Sequence, residues 1–141
     1  MAVTLIPYLV MEGNAQEAIE FYKKALDAEV LFSTTFGEMP ENPDFPLSAE
    51  AKALVAHATI KIGNSELMFS DSFPGQPVSK GNQVTICVSM NDKETAERFF
   101  AALQEDGQVN MPLTETHFSP AYGIVTDKFG VPFQIYTESK R

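Results

Sequence analysis

Asn14-Ala15-Gln16-Glu17-Ala18-Ile19-Glu20-Phe21-Tyr22 and Asn91-Asp92-Lys93-Glu94-Thr95-Ala96-Glu97-Arg98-Phe99-Phe100 carry one pattern at two places in the chain. Each opens on an asparagine with a glutamate three positions on, the spacing of a capping box, and each then places apolar side chains on one face of a helix. Ala18, Phe21, Tyr22 and Ala25 return as Ala96, Phe99, Phe100 and Leu103, an offset of 78 positions. A second match sets Gly63 to Phe69 against Gly130 to Tyr136, an offset of 67. A repeat of this length exceeds most solenoid units, so it predicts two paired supersecondary modules and not an array.

The segments around the two helices read as strands. Val3 to Val10 is apolar and β-prone, with Pro7 at a place where no amide is needed for pairing. Helix one runs to about Ala28, and Glu29 to Phe36 reads as a second strand. A loop from Gly37 to about Ala53 follows, holding Pro40, Pro43 and Pro46, with no counterpart of equal length later. Leu54 to Ile62 alternates, Gly63-Asn64 turns, and Glu66 to Ser70 completes a hairpin. In the second copy Val84, Ile86 and Val88 alternate with Thr85, Cys87 and Ser89, and the helix extends to about Glu105 before Gly107. A short strand around Val109 and a hairpin of Tyr122 to Thr126 and Phe133 to Thr137 close the chain. The expected class is α+β, one domain over 1–141, with βαβββ modules at 1–72 and 82–141 and a linker at 73–81.

Composition narrows the function classes. At 141 residues the chain is long enough to bury a core without disulfides or metal staples. Ten basic and nineteen acidic residues give a net charge of −9, which repels phosphate backbones and anionic lipid, so neither nucleic acid nor membrane is an expected partner. Met1 to Val10 lacks the basic flank and small-residue cleavage site of a secretory signal, and the expected location is the cytoplasm. Cys87 is the only cysteine, which excludes an internal disulfide and a multi-thiolate metal site.

Several stretches carry a family resemblance: Pro7-Tyr8-Leu9, Gly13-Asn14-Ala15, Ala18-Ile19-Glu20-Phe21-Tyr22, His57-Ala58, Leu67-Met68-Phe69-Ser70-Asp71 and Asp127-Lys128-Phe129-Gly130-Val131-Pro132. Together they resemble the PhnB-like branch of the vicinal oxygen chelate superfamily (glyoxalase, bleomycin resistance and dioxygenase proteins). The resemblance implies two βαβββ modules whose mixed sheets curl around a cleft, usually within a homodimer. Metalloenzymes of that superfamily draw ligands from the opening and closing strands of each module, where hard or imidazole donors converge on one ion and leave room for substrate. Carried over on the Phe21 and Phe99 anchors, the opening positions are Pro7 and Thr85. Carried over from Gly63 and Gly130, the closing ones are Leu67 and Gln134. Only Gln134 is a strong donor, so no metal is expected. A shift of one residue brings Tyr8 or Glu66 into play. Branch members are often labelled 3-demethylubiquinone-9 3-methyltransferases, a label that demands a place for S-adenosylmethionine, typically a glycine-rich strand-to-helix turn in a parallel sheet. Gly63-Asn64-Ser65 turns between strands instead, and no cofactor is expected.

With the opening-strand anchors facing the cleft, parity puts Leu5, Pro7 and Leu9 on the ligand side with Thr85, Cys87, Ser89, Gln134 and Tyr136. Val84, Ile86, Val88, Phe133 and Ile135 then pack under the helices. Leu67 and Phe69 join the predicted lining from the fourth strand, and Phe118 and Tyr122 fold over it as a lid. His57 is the candidate for proton chemistry, among Thr59, Ser70 and apolar side chains, although a histidine that holds a strand edge is the plainer role. Cys87 has only Ile86 and Val88 beside it, which suits a packing residue better than a nucleophile. The expected function is metal-independent binding of a small aromatic or hydrophobic metabolite. The alternatives are an enzyme of lyase, isomerase or dioxygenase type using His57 and Gln134, and a drug-sequestering resistance protein.

Overall fold

Alternation in the strands and 3.6-residue spacing in the helices produce the same unit twice. The computed structural model describes residues 3–41, 43–44, 46–73 and 76–139. They form two compact units, Met1–Ser79 and Lys80–Arg141. The first contains β1 (Tyr8–Met11), α1 (Ala15–Ala25), β2 (Glu29–Thr35), α2 (Ala49–Lys52), β3 (Val55–Ile62) and β4 (Ser65–Asp71). The second contains β5 (Ile86–Met90), α3 (Lys93–Leu103), β6 (Gln108–Thr116), β7 (Ser119–Thr126) and β8 (Pro132–Thr137). The sheet orders are β1-β4-β3-β2 and β5-β8-β7-β6, each an open mixed sheet with one parallel pair, β1 with β4 and β5 with β8. This is the expected α+β arrangement of two βαβββ modules.

Helices α1 and α3 each cover one face of their own sheet. Ala15, Ala18, Ile19, Tyr22 and Ala25 are the buried stripe of α1, and Tyr22 meets Phe69 of β4 edge to face at 6.4 Å. Ala96, Phe99, Phe100 and Leu103 form the stripe of α3, which packs on β7, β8 and β5. Burying one such large side chain contributes roughly 1.5–3 kcal/mol. Gly123 in β7 lets the helix come close: a Cβ there would stand 2.7 Å from Phe100 Cε2 and 3.0 Å from Leu113 Cα.

Four local expectations are corrected. The first strand begins at Tyr8, because Pro7 has no amide to pair and Leu5 is 93% exposed, although the Pro7 carbonyl still accepts from Met68 N. The loop after β2 holds a 3-10 turn at Phe36–Glu38 and the short α2. β6 has nine residues, carries Pro112 and breaks register three times, which its edge position tolerates and which hid its length. Neither expected capping box forms. Asn14 makes no side-chain cap, and the first amide of α1 is instead met by Asp71 Oδ1 at 2.9 Å; α3 is capped by Asp92, one residue beyond Asn91, through Thr95 N at 2.8 Å.

Candidate functional site

In β7 and β8 every second side chain is buried under α3, so the intervening ones point to the helix-free face. Register then gathers that face: Cys87 pairs with Gln134, Ser89 with Tyr136, Tyr122 with Tyr136 and Ile124 with Gln134. Tyr122 Oη donates to Gln134 Oε1 at 2.7 Å, and Gln134 Nε2 donates to Thr85 Oγ1 at 3.0 Å. Phe118, in the turn between β6 and β7, lies edge-on to Tyr122 at 5.0 Å and nearly parallel to Tyr136 at 6.3 Å. Tyr122 and Tyr136 meet edge to face at 6.4 Å. Tyr136 Oη and Ser139 Oγ both donate to the Phe118 carbonyl, at 3.5 and 3.4 Å, which ties this turn to the end of β8.

Thr85, Cys87, Phe118, Tyr122, Gln134 and Tyr136 therefore come together in the second unit. Ile124 shares the face; strand parity in Tyr122 to Thr126 is the signal that would have found it. Val84 is corrected: it is 79% exposed and lies before β5, so it does not pack under a helix. Partial burial pushes the Cys87 thiol above its ordinary pKa, which keeps it protonated near neutrality and unsuited to nucleophilic attack.

In the first unit the strand parity is reversed from the expected one. Phe69 and Leu67 pair with Ala58 and Ile60, and all four are buried on the α1 side. Leu9 pairs with Phe69 and shares its face. Leu9, Leu67 and Phe69 are thus not on the helix-free face. The reason lies in connection lengths. From β1 to α1 the chain spends three residues, Glu12, Gly13 and Asn14, with Gly13 at φ 89°; from β5 to α3 it spends two, Asn91 and Asp92. Gly63-Asn64 is a two-residue loop between Ile62 and Ser65, whereas residues 127–131 separate Thr126 from Pro132. Offsets taken from helices and turn glycines therefore miss the strands by one. In register, Tyr8 stands where Cys87 stands, Met68 where Gln134 stands, and His57 where Tyr122 stands.

His57 does lie on the helix-free face of the first sheet. Tyr8 Oη is 3.4 Å from its Nδ1, Thr59 Oγ1 is 3.3 Å from its Nε2, and the Tyr8 and Phe32 rings flank it at 5.8 and 6.0 Å. Both ring nitrogens thus meet hydroxyls and not a carboxylate, an arrangement that orients the imidazole. Tyr8 was missed because the opening strand was read one residue out of phase, and Phe32 because it lies on β2, whose faces periodicity was not used to assign.

Neither unit by itself offers donors that suit a divalent ion: the opening and closing positions are Pro7 or Tyr8 with Leu67 or Met68 in the first, and Thr85 or Cys87 with Gln134 in the second, where the Gln134 amide is engaged on both sides. Among the described residues no three His, Cys, Asp or Glu side chains form a group that could hold a metal. The connections into α1 and α3 hold a single glycine, Gly13, which differs from the glycine-rich turn that S-adenosylmethionine sites use. No helix among the described residues is long and apolar enough to cross a membrane.

Comparison with known proteins agrees with this architecture. A family model described as 3-demethylubiquinone-9 3-methyltransferase matches residues 3–136. Protein YjdN of Escherichia coli (strain K12) is 35% identical over 142 residues, covering 93% of this chain and 92% of that protein. The crystal structure of PA1353 from Pseudomonas aeruginosa superposes with a TM-score of 0.85 at 33% identity, covering 99% of this chain and 100% of that one. The PhnB protein from Bacillus cereus gives a TM-score of 0.77 at 26% identity over 96% of this chain and 99% of that one. At the level of fold alone, the fosfomycin resistance protein FosX from Listeria monocytogenes gives 0.66 at 11% identity, over 99% of this chain and 95% of its own. The chain belongs to the 3-demethylubiquinone-9 3-methyltransferase family, in the PhnB-like branch of the vicinal oxygen chelate superfamily.

Proposed function

We propose that this protein binds a small aromatic or hydrophobic metabolite without a metal ion, on the helix-free face of the β5-β8-β7-β6 sheet. The observation that carries it is the meeting of three aromatic rings, Phe118, Tyr122 and Tyr136, with the hydrogen-bonded row of Tyr122, Gln134 and Thr85. Apolar walls with a few placed polar groups are what small-molecule sites offer. A metal-assisted reaction would require hard or imidazole donors where Pro7, Leu67, Met68 and Thr85 stand. Methyl transfer would require a cradle for S-adenosylmethionine, and neither Glu12-Gly13-Asn14 nor Asn91-Asp92 resembles one.

Calorimetric titration of the demetallated protein with Zn²⁺, Ni²⁺, Mn²⁺ and Fe²⁺ tests the metal-free half of the proposal. The expected result is no stoichiometric binding tighter than micromolar. Binding of that strength that disappears in Gln134→Leu would overturn it. His57 is kept outside the site because its two hydroxyl partners give it a fixed orientation and no acid.

A further inference from the structure

Tyr122, Gln134 and Thr85 hold more hydrogen-bond donors than their own row consumes. They bring a phenolic hydrogen, two amide hydrogens and a hydroxyl hydrogen. The row uses the phenolic hydrogen on Gln134 Oε1 and one amide hydrogen on Thr85 Oγ1. The Thr85 hydroxyl hydrogen and the second amide hydrogen are left. Turning the Gln134 amide over reverses the row: Thr85 then donates to Oε1, Nε2 donates to Tyr122, and the Tyr122 hydrogen is freed in place of that of Thr85. In both arrangements the same number of donors is left over, so the surplus does not depend on how the amide is turned.

Charge sets the second constraint. The side chains that register places on this face, Cys87, Ser89, Tyr122, Ile124, Gln134 and Tyr136, include no cation, and the chain carries a net charge of −9. A carboxylate or phosphate would lose its hydration and gain no countercharge here. An ammonium ion would be drawn to ring faces, but it can only donate, and so it offers no acceptor to the two hydrogens that the row leaves over. A neutral acceptor meets neither objection. The third constraint is shape: Phe118 and Tyr136 present near-parallel rings, 10° apart in plane, against which a flat ring stacks.

We infer that the ligand of this face is a neutral, flat aromatic compound bearing a carbonyl-type acceptor. Its ring lies against Phe118, Tyr122 and Tyr136, and its oxygen takes the donors left over by the Gln134 row. The inference rests on the binding role proposed above and adds the polarity of the ligand.

Four probes of similar size separate the two: acetophenone, toluene, benzoate and benzylamine, titrated into ¹⁵N-labelled protein with the Gln134 side-chain amide signals followed by NMR. Acetophenone should bind about tenfold more tightly than each of the others, the equivalent of one hydrogen bond. Gln134→Leu, followed on the backbone amides of β8 because it lacks the side-chain reporter, and Thr85→Val should each bring acetophenone down to the level of toluene in the same variant, and Phe118→Ala should weaken all the probes together. Equal binding of acetophenone and toluene, with the Phe118→Ala loss retained, would overturn the carbonyl preference and leave the aromatic-binding role standing. Tighter binding of benzoate or benzylamine would also overturn it. Absence of binding by all four would overturn both.

Discussion

The two units share a strand order and a helix, yet they secure the start of that helix by different means. In the first, Asp71 at the end of β4 is buried and its carboxylate accepts from Ala15 N, the first amide of α1, and from Val55 N, the first amide of β3, each at 2.9 Å. In the second, Thr137 stands at the matching place, opposite Met90 as Asp71 stands opposite Met11. Its hydroxyl is buried and has no hydrogen-bond partner among the described residues. Two separate devices replace the carboxylate: Asp92 caps α3, and Ser119 Oγ donates to Thr137 O at 2.7 Å while accepting from Thr137 N and Ala121 N at 3.2 and 3.3 Å. One group in the first unit thus covers two structural duties that the second unit divides between two side chains.

That difference predicts unequal fragility. Asp71→Ala strips two buried amides of their acceptor, and each such loss costs about 1–3 kcal/mol, so the first unit should lose roughly 2–6 kcal/mol. At about 3 °C per kcal/mol this is a fall on the order of 10 °C in Tm, read by differential scanning calorimetry. Asp71→Asn keeps one acceptor oxygen and should lose about half as much. A fall under about 2 °C for Asp71→Ala would mean that water or a neighbouring group takes over both amides, and the contrast between the units would disappear.

Much of this molecule was legible in its sequence. The helices announce themselves through Ala18, Phe21 and Tyr22 and their echoes at Ala96, Phe99 and Phe100, and the second sheet through the strict alternation of Phe133 to Thr137. Gln134 and Tyr136 follow from that alternation and Thr85 and Cys87 from the one in Val84 to Ser89, whereas Phe118 lies in a turn that no alternation reaches. In the first unit the strand phase was lost, because Gly63 and Gly130 serve turns of unlike length and Gly13 lengthens one connection. Periodicity fixes which residues share a face only within a strand, and not across a connection of unknown length. The role of Asp71 was invisible for another reason: it acts on Ala15 across 56 positions, and its apparent substitute, Asn14, spends its side-chain oxygen on Glu12 N at 3.2 Å.

The same division of labour predicts that the two helix starts respond differently to loss of their nearest polar residue. Asp92→Ala removes an acceptor that serves both Thr95 N and the Thr95 hydroxyl, and should cost about 1 kcal/mol. Asn14→Ala removes only an exposed contact to Glu12 N and should cost less than about 0.5 kcal/mol, on the scale of ordinary surface changes. Urea denaturation of both variants under one set of conditions measures the pair. Equal losses would show that Asn14 does cap α1 in solution, and that Asp71 shares that duty.

An effect of the opposite sign is expected at Thr137, and that sign carries the information. Thr137 is 1% exposed, and its hydroxyl lies buried without a partner, a cost that the Asp71 position avoids by satisfying two amides. Thr137→Val keeps the β-branched shape and exchanges the hydroxyl for a methyl group, so it should stabilise the protein by about 0.5 kcal/mol in urea denaturation. A loss of more than about 1 kcal/mol would show that the hydroxyl does bond in solution, through a water bound near the start of α3. In that case the second unit would have its own counterpart of Asp71, built from a threonine and a solvent molecule, and the fragility predicted for the first unit alone would extend to both.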